Sequence, residues 1–254
     1  MKKLTIITLF LIFCSCSTKK DIYYIQDVKN QQLIKTNYND RLIKIDDILK
    51  IDIFSPDPEL ITQFNLNSSV GNNANNLEML QANGFNVDNR GMINFPIIGE
   101  IGLENLTVKE AEIRIFNKLL ESEQLTNHSV KVTIVNSNVT VLGEVNNPGT
   151  FNYLENNMNI FKAIGLAGDL TINGDRKNIK LLRDIQEGDK IVNSFDITSS
   201  SILDSDLFHI KSGDIIIVNP NVNRVKNAGI IGNSGTLLSL LSFLLTSIIL
   251  ITNN

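Results

Sequence analysis

The chain has 254 residues, 43% hydrophobic and 20% charged, with a net charge of −4, enough for one large or two small globular domains and unlike a disordered composition. Charge is well mixed, without a run of five or more like charges, which excludes a nucleic-acid binder held by a basic face. The two cysteines, Cys14 and Cys16, both stand near the N-terminus. The rest of the chain therefore has no thiol for a disulfide, a CxxC redox pair or a thiolate metal site.

Residues 1–15 read as an address signal: Lys2 and Lys3 form a short basic region, and residues 4–13 an apolar stretch too short to span a bilayer comfortably. The stretch ends in Phe13-Cys14-Ser15-Cys16. A small residue directly before a cysteine resembles the bacterial lipobox, in which Cys16 is acylated and becomes the first residue of the mature protein. Cys14 fits worse, because bulky Phe13 would precede the cut; an ordinary signal peptide is the alternative. Several acyl chains on one cysteine hold a protein on a membrane stably. Cleavage removes Lys2 and Lys3 and no acid, leaving a mature charge of −6 outside the cytoplasm. Residues 16–40 are then a lipid-anchored linker.

The middle of the chain is organised as short strand-like runs. Residues 42–54 alternate apolar and polar on both sides of Asp46-Asp47, as in two half-buried strands or one bent one, and Ser55-Pro56-Asp57-Pro58 stops them. Residues 65–83 are Asn-rich and read as an insertion loop. Residues 85–101, with turns at Asn89-Arg90-Gly91 and before Gly99, predict a hairpin. Thr107 with Glu110 three residues on is a capping-box pattern, opening a helix to about Ser122 with Val108, Ala111, Ile115 and Leu119 on one face. Residues 130–135 and 139–145 are strands, the second ending at Asn146-Asn147-Pro148-Gly149. Residues 159–167 form a short helix capped by Gly168, followed by a strand at 178–183. Residues 207–218 place a strand on either side of the turn Lys211-Ser212-Gly213-Asp214. The pattern predicts an α+β fold of two small modules and not a βαβ dinucleotide fold.

The C-terminus carries a second membrane signal. Residues 227–254 lack any charged side chain, and residues 237–251 read LLSLLSFLLTSIILI, about 23 Å as a helix. That is somewhat short for a lone spanning helix. Ser239, Ser242 and Thr246 are spaced i, i+3, i+7 and fall on one face. They either pack against a neighbouring helix or line a pore made by several copies. A buried core helix is the third reading.

Family resemblance enters on particular residues. Ile45-Asp46-Asp47-Ile48-Leu49-Lys50-Ile51, then residues 88–101 (DNRGMINFPIIGEI) and Leu106-Thr107-Val108-Lys109-Glu110-Ala111 resemble the polysaccharide export domain of outer-membrane export lipoproteins, with Asp46-Asp47 where the family has Gly-Asp. Residues 139–149 (VTVLGEVNNPG), residues 160–168, the strand at 179–183 and Gly213-Asp214-Ile215-Ile216-Ile217-Val218 resemble the SLBB module, a β-grasp-like unit. The resemblance implies a small β-rich export domain at 41–135, one SLBB domain at 136–220, a linker at 221–235 and a C-terminal pore-forming, transmembrane helix at 236–252. It also implies a homo-oligomeric ring, an octamer in the family, in the outer membrane, with Cys16 lipid-anchored and the folded domains in the periplasm. The implied cargo is capsular or exopolysaccharide and the implied partner an inner-membrane polysaccharide co-polymerase or tyrosine kinase, with no cofactor and no nucleic acid.

The motif residues read as structural. Gly91, Gly99, Gly143 and Gly149 sit where hairpins or strands need positive φ or close backbone approach, Pro96 and Pro148 preset turns, and Gly168, Gly213, Asp47 and Asp214 fall at caps and turns. Adjacent Asp46 and Asp47 on a strand would point to opposite faces and could not converge as an acid/base pair. His128 and His209 lack partners at metal-ligand spacing, so neither a metal site nor a catalytic triad is expected. Arg183 reads as a strand-end or subunit-contact residue. Two function classes remain: a transport subunit whose helices line a pore through Ser239, Ser242 and Thr246, and a non-porous periplasmic adaptor or glycan-binding lipoprotein.

Overall fold

The computed structural model describes residues 22–28, 33, 40–56, 77–122, 127–185, 188–222 and 234–252. Strict alternation builds the first module: in β1 (Ile48–Phe54) Leu49, Ile51 and Ile53 are buried and their neighbours only partly covered or exposed. β1 is the middle of a three-stranded antiparallel sheet, between β2 (Phe85–Asn86) and β5 (Ser129–Ile134). A short helix, α1 (Leu77–Ala82), precedes β2, and β3 (Met92–Phe95) pairs with β4 (Gly99–Gly102) as a hairpin. Helix α2 (Val108–Glu121) closes the module, burying Ala111, Ile115 and Leu119. Its capping box is complete: the Glu110 N–H donates to Thr107 Oγ1 at 3.2 Å and the Thr107 N–H to Glu110 Oε2 at 2.8 Å. Those Thr107 donors hold the Glu110 carboxyl below its usual range.

The second module is a five-stranded mixed sheet in the order β7-β6-β10-β8-β9. Its strands are β6 (Asn138–Gly143), β7 (Gly149–Asn152), β8 (Gly174–Asp184), β9 (Lys190–Phe195) and β10 (Asp214–Pro220). β10 runs parallel to β6 and antiparallel to β8. Helix α3 (Ile160–Leu166) buries Ile160, Ala163 and Ile164 on the sheet, with the Asn159 side chain accepting the Lys162 N–H as its cap. The two modules have separate apolar cores, one within residues 43–134 and one within 139–218.

Several sequence expectations change. The run before Asp46 is no strand: Leu42 makes a single bridge to Thr107, and the chain turns through Asp46 at φ 66° before β1 begins. The end of the expected insertion loop is α1, and its part at residues 65–76 lies outside the described residues. Residues 207–213 form turns with a bridge from His209 to Asn159 in place of a strand. β7 and β9 were not visible in the pattern because they are sheet edges; Ile191 and Val192 of β9 are 40% and 58% exposed, which erases the alternation.

The C-terminal helix, α4 (Ser234–Thr252), forms over the expected residues. The transmembrane reading of a single helix does not hold: among the described residues no helix is long and apolar enough to cross a membrane. The physical reason is the short apolar stretch and its interruption by Ser239, Ser242, Thr246 and Ser247. The Thr246 and Ser247 hydroxyls donate back to the carbonyls of Ser242 and Phe243 at 2.7 and 2.8 Å, the usual way a helix absorbs such side chains. Leu238, Leu240, Phe243 and Leu244 are 56–70% exposed, and Ser239, Ser242 and Thr246 are equally open.

Candidate functional site

The modules are stapled at their junction by three side chains. Asn136 donates from Nδ2 to the Asp46 carbonyl at 2.7 Å and accepts the Ile48 N–H at 3.0 Å. Arg41 reaches both Ser137 Oγ and Asp47, the latter at 2.6 Å. Asp47 is buried, and its other oxygen accepts the Lys44 N–H at 2.9 Å. Burial raises the Asp47 pKa, opposed by the Arg41 charge. Asp46 and Asp47 thus serve the backbone at a turn and do not converge on a common point. Among the described residues no group of three or more His, Cys, Asp or Glu is placed to hold a metal.

On the other side of the junction Arg183 stands next to last in β8, the strand-end position expected from the sequence. Its Nε and Nη2 grip Asp214 at 2.9 and 2.7 Å, and Nη2 also donates to the His209 carbonyl at 2.8 Å. With Asp214 1% exposed, this is an interior fork-to-carboxylate pair that fixes the turn entering β10. Asp214 Oδ2 additionally accepts the Lys211 N–H at 2.8 Å. Between the two Asp-centred turns lies a cleft of about 380 Å³, with Asp40, Arg41 and Lys44 from the first module and Tyr153, Arg183 and Lys211 from the second among its walls. Burial, then the neighbouring Arg183 and Lys44 charges, lower the Lys211 pKa. Burial above all pushes the Tyr153 hydroxyl up to about 12.

A third feature concerns where the chain's two membrane-directed ends attach. Residues 22–28 lie against the second module: the Ile25 and Gln26 N–H groups donate to the carbonyls of Ile197 and Thr198 at 3.1 and 2.8 Å. Asp27 accepts from Ser199 Oγ and the Ser200 N–H at 2.8 and 2.6 Å. The Tyr24 hydroxyl donates to Asp169, and its ring sits 5.7 Å from the Arg176 guanidinium and packs on Phe161. Beyond β10, Asn221 donates from its backbone to Asn173 at 2.7 Å and from its side chain to Ile172 at 3.2 Å. Tyr24 of the arm and Asn221 at the exit from β10 both meet the segment 169–176, while Ile25, Gln26 and Asp27 are held by residues 197–200. Tyr23, Ile172 and Val222 stand 56%, 64% and 66% exposed.

The remaining motif residues fall as follows. Gly91, Gly99, Gly143, Gly168 and Gly213 all have positive φ, whereas Gly149 does not and has no close neighbour at its Cβ position. Gly143 is the most constrained: a Cβ there would lie 2.0 Å from the Val218 carbonyl oxygen. Pro96 opens the turn between β3 and β4, and Pro148 precedes β7. His128 is buried against the Phe116 ring and is not among the residues lining the cleft. Cys16 lies outside the described residues. Local pattern does not reveal the docked arm, Tyr153 or the paired lysines; the signal for the arm is the apolar run Ile22-Tyr23-Tyr24-Ile25 between Asp21 and Gln26.

Residues 35–135 match the family model for polysaccharide biosynthesis/export protein, and residues 138–193 match that for the SLBB domain. No curated protein matches the chain. The two matched families are transport and binding domains and not enzymes. Adjoining one another across the Asn136 staple and in the order the motifs had suggested, they assign the molecule: it is a polysaccharide export protein with an SLBB module.

Proposed function

We propose that this protein is a lipid-anchored subunit of an outer-membrane channel that exports capsular or exopolysaccharide. The observation that carries the reading is the docking of the arm that follows Cys16 and of the chain leaving β10 on the same module, with Tyr24 and Asn221 both meeting residues 169–176. Cys16 stands six positions before Ile22 and α4 begins twelve positions after Val222, so only short stretches of chain join the SLBB module to the lipid site and to the helix, in keeping with one bilayer for both. A lone α4 is too short and too polar along one side to cross by itself. Copies arranged in a ring remove that objection, turning Ser239, Ser242 and Thr246 toward a wet lumen and the leucines toward lipid. The export domain, at 41–135, then hangs in the periplasm beyond the SLBB domain, at 136–220, toward an inner-membrane co-polymerase or kinase. The separate cores support that division. The adaptor reading gives no use to an uncharged helix whose leucines are open on every described side.

The test compares two charges on α4. A lysine facing lipid costs roughly 2.5–3.5 kcal/mol per helix on insertion scales, repeated around a ring. Leu244→Lys is expected to abolish insertion and export, while Ser242→Lys inserts and at most alters polymer passage. Cysteines at the two positions, treated with a membrane-impermeant thiol reagent, should label at 242 and be protected at 244. Equal protection with export intact favours the adaptor.

A further inference from the structure

We infer that the cleft between the two modules is a saccharide-binding site that holds one or two sugar units of the exported polymer. The inference rests on the polysaccharide export role and adds the face of the subunit that touches the cargo. It does not depend on α4 lining a pore.

The argument begins with which charges are already committed. Arg41 and Arg183 line the cleft, but each is neutralised by a buried partner, Asp47 and Asp214. What is left at the rim is balanced: two ammonium groups, Lys44 and Lys211, and two carboxylates, Asp40 and Asp206. Among the described residues none of these four side chains makes a hydrogen bond or an ion pair. A phosphate site would show an excess of positive charge, and a divalent cation would need clustered carboxylates. Neither is present among the described residues.

A sugar asks for something else. Every hydroxyl both donates and accepts, and the ring presents an apolar face, so a matching site needs mixed donors and acceptors around an apolar floor. Asn156 and Asn157 supply amides that do both, and Tyr153, Met158 and Ile210 supply the floor at 8%, 4% and 7% exposure. The Tyr153 hydroxyl has no hydrogen-bond partner among the described residues. The Tyr153, Met158 and Ile210 side chains belong to the core beneath the cleft and offer a sugar only a narrow apolar edge, with the Tyr153 hydroxyl beside it as a polar contact. The cleft, about 380 Å³, lies at the lower end of the range for small-ligand sites, roughly 300–1,000 Å³.

The site is also preformed. Lys44 and Lys211 are each the first residue of a turn closed by a buried aspartate, so the Arg41–Asp47 and Arg183–Asp214 pairs fix the backbone beneath both lysines. The Asn136 side chain ties the first turn to the segment that leads from β5 into β6. Ordering costs on binding are correspondingly low. Burial first, then the Arg183 and Lys44 charges, depress the Lys211 pKa, opposed by Asp214 and Asp206, and an acceptor brought by a sugar hydroxyl or a uronate carboxylate would favour the charged form.

The experiment uses the full-length protein in detergent and, as probe, oligosaccharides made by partial depolymerisation of the polymer the producing cell exports. Saturation-transfer NMR and calorimetry are expected to detect binding. Lys44→Ala combined with Lys211→Ala should weaken it at least tenfold, and Tyr153→Phe, which keeps the packing, several-fold, with native mass unchanged in both. Absence of binding to the unaltered protein overturns the inference, as does equal binding by all variants. A changed native mass with unchanged sugar binding overturns it in favour of a subunit contact. Failure here is distinguishable from failure of the channel reading: Leu244→Lys protein should still bind the oligosaccharides, whereas the cleft variants should still insert.

Discussion

Asp46 and Gly213 occupy the same position in two copies of one turn. Each has left-handed backbone, at φ 66° and 87°. Each precedes an aspartate, Asp47 or Asp214, whose carboxylate accepts the N–H of the lysine three residues back and is clasped by an arginine. The two modules therefore start β1 and β10 with the same device, and the first has an L-residue where the second has glycine. A left-handed non-glycine residue costs about 1–2 kcal/mol, less for Asp, and part of any gain from glycine is lost to the unfolded chain's added freedom. Asp46→Gly is expected to stabilise the first module by about 0.5–1 kcal/mol, read as a raised denaturant midpoint with unchanged slope.

The clasp itself gives a second prediction. Asp214 is 1% exposed and Arg183 11%, so Arg183→Ala leaves a buried carboxylate without its countercharge, at a cost of about 3–5 kcal/mol. Arg183→Lys should recover little, since a lysine cannot reproduce two bonds to Asp214 and one to the His209 carbonyl at once. Urea unfolding of the two variants checks both statements.

Gly143 and Gly149 should respond oppositely to alanine. At Gly143 the added methyl meets the Val218 carbonyl oxygen at 2.0 Å on a backbone with φ 94°, which breaks the β6–β10 pairing and prevents folding of the second module. At Gly149 the nearest atom is 3.8 Å away, and Gly149→Ala should change stability by less than about 1 kcal/mol. Soluble yield and circular dichroism separate the outcomes.

High pH should loosen the N-terminal arm. Burial first, and then the Asp169 hydrogen bond, raise the Tyr24 pKa to about 12. Burial does the same for Tyr153. An unfolded tyrosine ionises near 10. Because the folded values are the higher ones, this stabilisation is complete below pH 10 and is lost as pH climbs through about 12. Tyrosinate absorbance is expected to rise in two steps, and Tyr24→Phe should reduce the later one. A single step near pH 10 would contradict the docked arm.

The helix cap offers a smaller, local effect. Thr107→Ala removes the side-chain acceptor of the capping box and is expected to cost about 1 kcal/mol. Thr107→Ser should recover most of it in the same thermal melt.

The sequence by itself determined what depends on neighbours a few residues away. The capping box at Thr107 and Glu110, the buried face at Ala111, Ile115 and Leu119, the left-handed Gly91, Gly99 and Gly143 and the order of two α+β modules follow from local spacing and are present in the structure, whereas Gly149 is not left-handed. Tertiary structure decided what depends on distance along the chain. Tyr24 meets Asp169 across 145 positions and Arg183 meets Asp214 across 31, and no periodicity carries such pairings. Edge strands β7 and β9 were hidden for a related reason: their register is set by β6 and β8, while their own exposed faces blur the alternation. The cleft is the extreme case. Its lysines lie on two turns 167 positions apart that only the packing of one module on the other brings to a common rim, because side-chain chemistry is local but its convergence is a property of the folded backbone.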